Sequence, residues 1–235
     1  MPVFTLNLNP VDGPDYALTP RSGRDGESFA HISHTNPLAT DPATVADAIL
    51  AALTKPKTTS PPRIIAWSGT LADSLFERDP RSWLPPARRA FADLCDALAP
   101  RLDAAGATLL FRPCSRHVLA DPTTCLSFLR ERAAEPFGIV LDPIGFLEPD
   151  MLDRVEEHLE RAFEIMGEPA AAVLLAGGAV DELQHRVTHT PLGAGAIPTE
   201  LILDPWRRHC PAATPVILPD APDIEARIDL VEAAR

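Results

Sequence analysis

The 235-residue chain has no cysteine pair in C-x-x-C spacing, no basic cluster and no repeat at a fixed period, and each absence removes a class of protein. Cys95, Cys114, Cys125 and Cys210 are widely scattered, which excludes a zinc ribbon or a dense disulfide framework. They are expected as reduced, mostly buried thiols. No apolar run reaches the roughly 18 residues that a membrane-spanning helix needs. The start Met1-Pro2-Val3-Phe4 lacks the basic region and apolar stretch of a secretory signal, so the expected compartment is the cytoplasm. A net charge of −12 without clustered cations argues against nucleic acid or an anionic membrane as partner. A small molecule or a protein, including a second copy in a homo-oligomer, is the expected partner. Ser68 sits in Trp-Ser-Gly, not in the G-x-S-x-G elbow of a hydrolase nucleophile.

What is present is an alternation. The 26 prolines fall between periodic segments and punctuate them. Strand-like runs at Phe29–Ser33, Arg63–Trp67, Thr108–Phe111, Gly138–Leu141, Ala171–Ala176 and Val216–Leu218 alternate with helical patterns. The helices are expected at Pro42–Leu53, Pro86–Ala105, Pro122–Ala134, Pro149–Met166 and around Leu201–Trp206, with a terminal one carrying Ile224, Ile228 and Val231. Thr40 or Asp41 caps the first of them and Asp121 the third, where Leu126 and Leu129 are expected to face inward. Gly167 is placed to end the fourth.

Continuous apolar strands separated by amphipathic helices predict a parallel sheet covered by its crossovers. The fold class is α/β, a TIM-barrel-like parallel barrel in one domain over 1–235, with an irregular segment at 1–28. Val3–Leu8 adds a seventh strand, but Asn9–Glu27 shows no helical period. A regular first strand-helix unit is missing, so the barrel is expected to be incomplete.

Several segments resemble one family in their shared order: Ile65-Ala66-Trp67-Ser68-Gly69-Thr70, Asp79-Pro80-Arg81-Ser82-Trp83, Ala104-Ala105-Gly106-Ala107-Thr108-Leu109, Ile139-Val140-Leu141-Asp142-Pro143 and Pro191-Leu192-Gly193-Ala194-Gly195-Ala196-Ile197. Together they resemble the sugar phosphate isomerase/epimerase group of xylose isomerase-like TIM barrels. The resemblance implies a divalent metal held by Glu, Asp, His and Glu at four strand ends, polarising a carbonyl or hydroxyl for proton transfer. This chain departs from that set. The first Glu position reads Arg112, the Asp is kept as Asp142, the His position reads Ala176 or Gly177, and the last Glu reads Pro219.

Arg112 and Asp142 close consecutive strands and are expected to form a salt bridge where the metal stood, with Asp142 the one candidate catalytic group. His31, His34, His117, His185 and His189 are the candidate ligand contacts beside Arg112. His185 and His189 would face one side only if helical, which Arg186, Val187 and Thr188 do not favour. Leu192–Ile197 reads as a connection or, less simply, as an anion cradle. Two functions follow. One is a degenerate barrel without metal or other cofactor that binds a sugar-like molecule or a protein. The alternative is an active isomerase/epimerase on a small sugar or polyol with a rebuilt site, where a divalent metal would be required.

Overall fold

The computed structural model describes residues 1–6, 19–22, 29–32, 35–51 and 61–235. In chain order the elements are β1 (Val3–Leu6), β2 (Thr19–Ser22), β3 (Phe29–Ile32), α1 (Pro42–Ala51), β4 (Arg63–Trp67), α2 (Pro85–Ala105), β5 (Thr108–Arg112), α3 (Pro122–Glu131) and β6 (Phe137–Leu141). They continue with α4 (Val155–Met166), β7 (Ala172–Leu174), β8 (Gly177–Asp181), β9 (Arg186–Thr190), α5 (Glu200–His209), β10 (Val216–Pro219) and α6 (Ile224–Ala233). The described residues fall into two compact units, one within 29–140 and the other made of 1–6, 19–22 and 141–235.

In the unit ending at Val140 the strands lie in the order β6-β5-β4-β3, all parallel. Ile64, Ile65, Leu109, Leu110, Phe111, Ile139 and Val140 are buried, as expected where a parallel sheet is covered on both faces. Phe91 of α2, Phe111 of β5, Phe128 of α3 and Phe137 of β6 meet as a ring cluster with centroids between 4.8 and 6.0 Å apart. Each such ring contributes about 2–3 kcal/mol by leaving water. The same cluster corrects the expected face of α3. Its buried residues are Cys125 and Phe128, one turn apart, while Leu126 and Leu129 are only half-buried. The Asp121 cap is present, its carboxylate accepting the Thr123 and Thr124 N–H groups at 2.8 and 2.9 Å.

The other unit carries β2-β1-β10-β7, with β1 parallel to β10, β10 parallel to β7, and β2 antiparallel to β1. The strand expected at Val3–Leu8 is therefore present as β1. Thr19–Ser22, read as irregular, is a strand. Between β1 and β3 the described residues hold this antiparallel strand and no helix.

The helix expected from Pro149 begins as a 3-10 turn over Pro149–Arg154 and becomes α-helical only at Val155. The helix ends at Met166 with Gly167 as its C-cap, as expected, but with a right-handed helical backbone in place of a left-handed one. A side chain there would put Cβ 2.8 Å from the His209 carbonyl oxygen, so the glycine serves close approach of α4 and α5.

The element absent from the sequence reading is the hairpin of β8 and β9, paired from Gly177↔Thr190 to Asp181↔Arg186. Asp181 accepts the Leu183 and Gln184 N–H groups at 3.0 and 3.1 Å and so closes the turn. No helix among the described residues is long and apolar enough to cross a membrane.

Candidate functional site

Asp142 follows the last residue of β6 and is fully buried. Its Oδ1 accepts two hydrogen bonds, from the Gly145 N–H at 3.0 Å and from His189 Nε2 at 2.7 Å. The first comes from the 3-10 turn Ile144–Phe146. The second comes from β9, where Gly178↔His189 is a register pair. Gly178 lets the hairpin lie close: a Cβ there would meet Ile197, Val187 and Ile144 side chains. The segment after β9 completes the support, because Ala196 N–H donates to the Gly178 carbonyl at 2.8 Å and Thr190 Oγ1 to the Ala194 carbonyl at 2.7 Å. A buried carboxylate can only accept, so His189 Nε2 carries the proton of this bond and the bond holds the ring in place.

The ends of β4 and β5 have a different chemistry. Register pairs Trp67 with Arg112, which puts the Arg112 guanidinium carbon 4.3 Å from the indole centroid. His31, on β3, stands edge-on to the same indole at 6.0 Å, and His117 and Phe76 do so at 5.4 and 5.1 Å. Trp67 is thus enclosed by side chains and is buried.

His117 is wholly buried, with Phe76 stacked on it and its Nε2 donating to the Leu75 carbonyl at 2.8 Å. Burial, opposed by that hydrogen bond and aided by the Arg112 charge, brings its pKa down to about 4, so the ring is neutral near pH 7. Its Nδ1 is buried and has no hydrogen-bond partner among the described residues.

Of the sequence candidates, Asp142 and His189 are in direct contact, while Arg112, His31 and His117 share one indole. His185 lies in the hairpin turn with φ 46° and is exposed. It and His189 are not on a common helical face, because the segment is a hairpin. His34 lies outside the described residues. The Leu192–Ile197 segment does not present an open row of donors: Ala194 N–H is taken by the Pro191 carbonyl and Ala196 N–H by Gly178. The thiols of Cys95, Cys125 and Cys210 are buried, and burial raises their pKa values, to about 12 for Cys95 and Cys210, which makes them poor nucleophiles.

Sequence reasoning missed the hairpin that brings His189 to Asp142. The signal was the β-branched alternation Val187-Thr188-His189-Thr190 after an Asp-initiated turn, which favours a strand over a loop. The resemblance implies a divalent metal. A divalent ion of this kind needs three or more anionic or imidazole donors, and no such group of His, Cys, Asp or Glu occurs among the described residues.

No protein family matches the chain, and no curated protein does. Solved structures do. D-psicose 3-epimerase, in the presence of D-fructose, matches at 15% identity and TM-score 0.53 over 82% of this chain and 64% of its own. The apo form of 3-keto-D-glucoside 4-epimerase from E. coli matches at 17% identity and TM-score 0.54, over 88% and 78%. The probable 3-DHS dehydratase involved in petrobactin synthesis from Bacillus anthracis matches at 10% identity and TM-score 0.53, over 88% and 73%. This chain therefore spans less than two thirds of the psicose epimerase. At such identities the likeness establishes the fold: a partial TIM barrel of the xylose isomerase-like kind.

Proposed function

We propose that this chain binds a small polyhydroxy, sugar-like molecule and does so without a catalytic metal. One observation carries the reading: the carboxylate that the resemblance assigns to a metal is buried and already accepts the Gly145 N–H and His189 Nε2. A cation at Asp142 would have to displace a charge-assisted hydrogen bond, and among the described residues no group of three His, Cys, Asp or Glu side chains stands ready to hold it. The sugar-like ligand rests on fold likeness to D-psicose 3-epimerase, in the presence of D-fructose, and to 3-keto-D-glucoside 4-epimerase.

Calorimetric titration of the intact chain with MnCl2 and MgCl2, followed by a panel of ketoses and aldoses, tests both halves. The expected outcome is no stoichiometric metal and saturable binding of at least one neutral sugar. One tightly held equivalent of manganese sinks the metal-free half; a panel without any binder sinks the other.

The His189–Asp142 bond favours a second reading, in which an imidazole oriented by a buried carboxylate moves a proton on the ligand. In D2O with EDTA, that reading expects deuterium to enter a bound ketose next to its carbonyl, and expects His189→Gln to abolish the exchange. Exchange that needs added metal removes it.

A further inference from the structure

A pocket of about 280 Å³ opens between α2 and α3, within the unit that ends at Val140. Its floor is apolar: Phe91 and Cys95 of α2, Phe128 of α3, and Val118 and Leu119 of the segment that follows β5, all buried. Backbone bonds hold that segment, since Val118 N–H donates to the Gly69 carbonyl at 2.9 Å and Cys114 N–H to the Leu119 carbonyl at 3.2 Å. Phe91 and Phe128 belong to the ring cluster around Phe111, so the floor is fixed by packing. The rim is polar, and its two ends differ. Helices α2 and α3 join successive parallel strands and so run the same way. Arg132 crosses from α3 to the Asp96 carboxylate and the Ala92 carbonyl of α2, and also meets Glu135, so its charge is offset at the lower end. Exposed Glu131 lines that end too. Arg88, one turn before Ala92, stands at the upper end with Thr123 and Ser127; it is exposed and makes no ion pair among the described residues.

We propose that this pocket is a binding site for a small aryl carboxylate, with the ring on Phe91, Phe128 and Leu119 and the carboxylate at Arg88. The inference goes beyond the sugar-binding reading and does not rest on it, because Asp142, His189 and Arg112 are not part of this pocket. Size sets the first limit. A cavity of about 150 Å³ holds benzene, so this one has room for a ring and a short acid arm. Charge sets the second. A planar carboxylate matches a guanidinium in two parallel hydrogen bonds, and Arg88 is the cation of the rim without a carboxylate partner among the described residues. Thr123 and Ser127, four apart on one face of α3, add hydroxyl donors beside it. Glu131 repels an acid at the lower end, so the ligand has one orientation, head toward the start of α3 and ring toward Cys95. A sugar lacks the apolar face that this floor needs.

Amide NMR titration of the intact chain with 3-phenylpropionate tests this, with propionate and 3-phenylpropanamide as the probes that lack the ring and the charge. Saturable shifts are expected in residues 88–95, 118–119 and 123–131, and each control is expected to bind about tenfold more weakly or less. Arg88→Gln, at an exposed position, is expected to weaken the acid about tenfold and to leave the amide unchanged, a split that loss of packing would not give. Ala92→Leu puts bulk into the pocket and is expected to remove binding of both. Shifts that do not saturate, or that fall outside these segments, overturn the site. Equal binding of acid and amide, or an Arg88→Gln protein that holds the acid as tightly as the parent, overturns the ligand class.

Discussion

The end of β6 and the ends of β4 and β5 bury charge in opposite ways. At β6 a carboxylate accepts from a backbone N–H and from an imidazole. At β4 and β5 a guanidinium is laid on an indole, and the nearby imidazole is kept neutral with one nitrogen unmatched. The difference shows which buried polar groups a fold holds tightly. The first set joins a buried acceptor to complementary donors and resists substitution; the second carries one deficit, so it has something to gain from rearrangement.

Breaking the first set is expected to have the largest effect. Asp142→Ala leaves His189 Nε2 without its buried acceptor and the Gly145 N–H with only the Asp142 backbone carbonyl at 3.1 Å, and is expected to cost about 3–5 kcal/mol, measured as the shift of the urea unfolding midpoint. Asp142→Asn keeps an acceptor and is expected to cost less than half of that. Equal losses in the two variants would mean that packing, not the hydrogen bonds, holds the site.

The second set is expected to show itself through pH. His117 has a folded pKa of about 4 against 6.5 for the free side chain, so between those values the unfolded chain binds more protons. Stability is therefore full above about pH 6.5 and is lost as pH falls toward and through about 4, by about 3 kcal/mol from this residue. Unfolding midpoints at a series of pH values check it, and the slope in that window is expected to disappear in His117→Phe. A profile unchanged by that substitution assigns the acid sensitivity elsewhere.

A smaller effect separates the two causes of that low pKa. Burial dominates and the Arg112 charge assists, so Arg112→Met is expected to raise the His117 pKa without restoring 6.5. Following the ring protons by NMR during titration decides it; no upward movement would show that the guanidinium is screened from the imidazole. The smallest effect is at the hairpin tip. Leu183 is 99% exposed, and Leu183→Ser is expected to change stability by less than about 0.5 kcal/mol in thermal melts. A large loss there would mean that the hairpin reaches Asp142 through its tip and not through Gly178.

The barrel strands were legible because parallel strands covered on both faces leave unbroken apolar runs; β4 matches its expected bounds from Arg63 to Trp67. Helix α2 was legible from Phe91, Leu94, Leu98 and Leu102, whose spacing is its buried stripe. Side-chain ranking failed at α3, where leucine was favoured over Cys125 although the facing phenylalanines select the other stripe. The hairpin was missed because β8 opens with Gly177 and Gly178, whose value is closeness to Ala194 and Ile197, contacts far along the chain. Within the candidate site, Asp142 and the histidines were visible as residue types. The Asp142–His189 bond spans 47 positions and depends on that hairpin, so no local pattern announces it.

The pairing of β1 with β10 sets an order on biosynthesis. Val3–Leu6 emerges from the ribosome early and waits for Val216–Pro219 before its parallel partner exists. The strands from β3 to β6 have their neighbours once residue 141 is out. Until the last strand arrives, Val3-Phe4-Thr5-Leu6, apolar but for its threonine, has β2 on one edge and its other edge without the parallel partner it later gains.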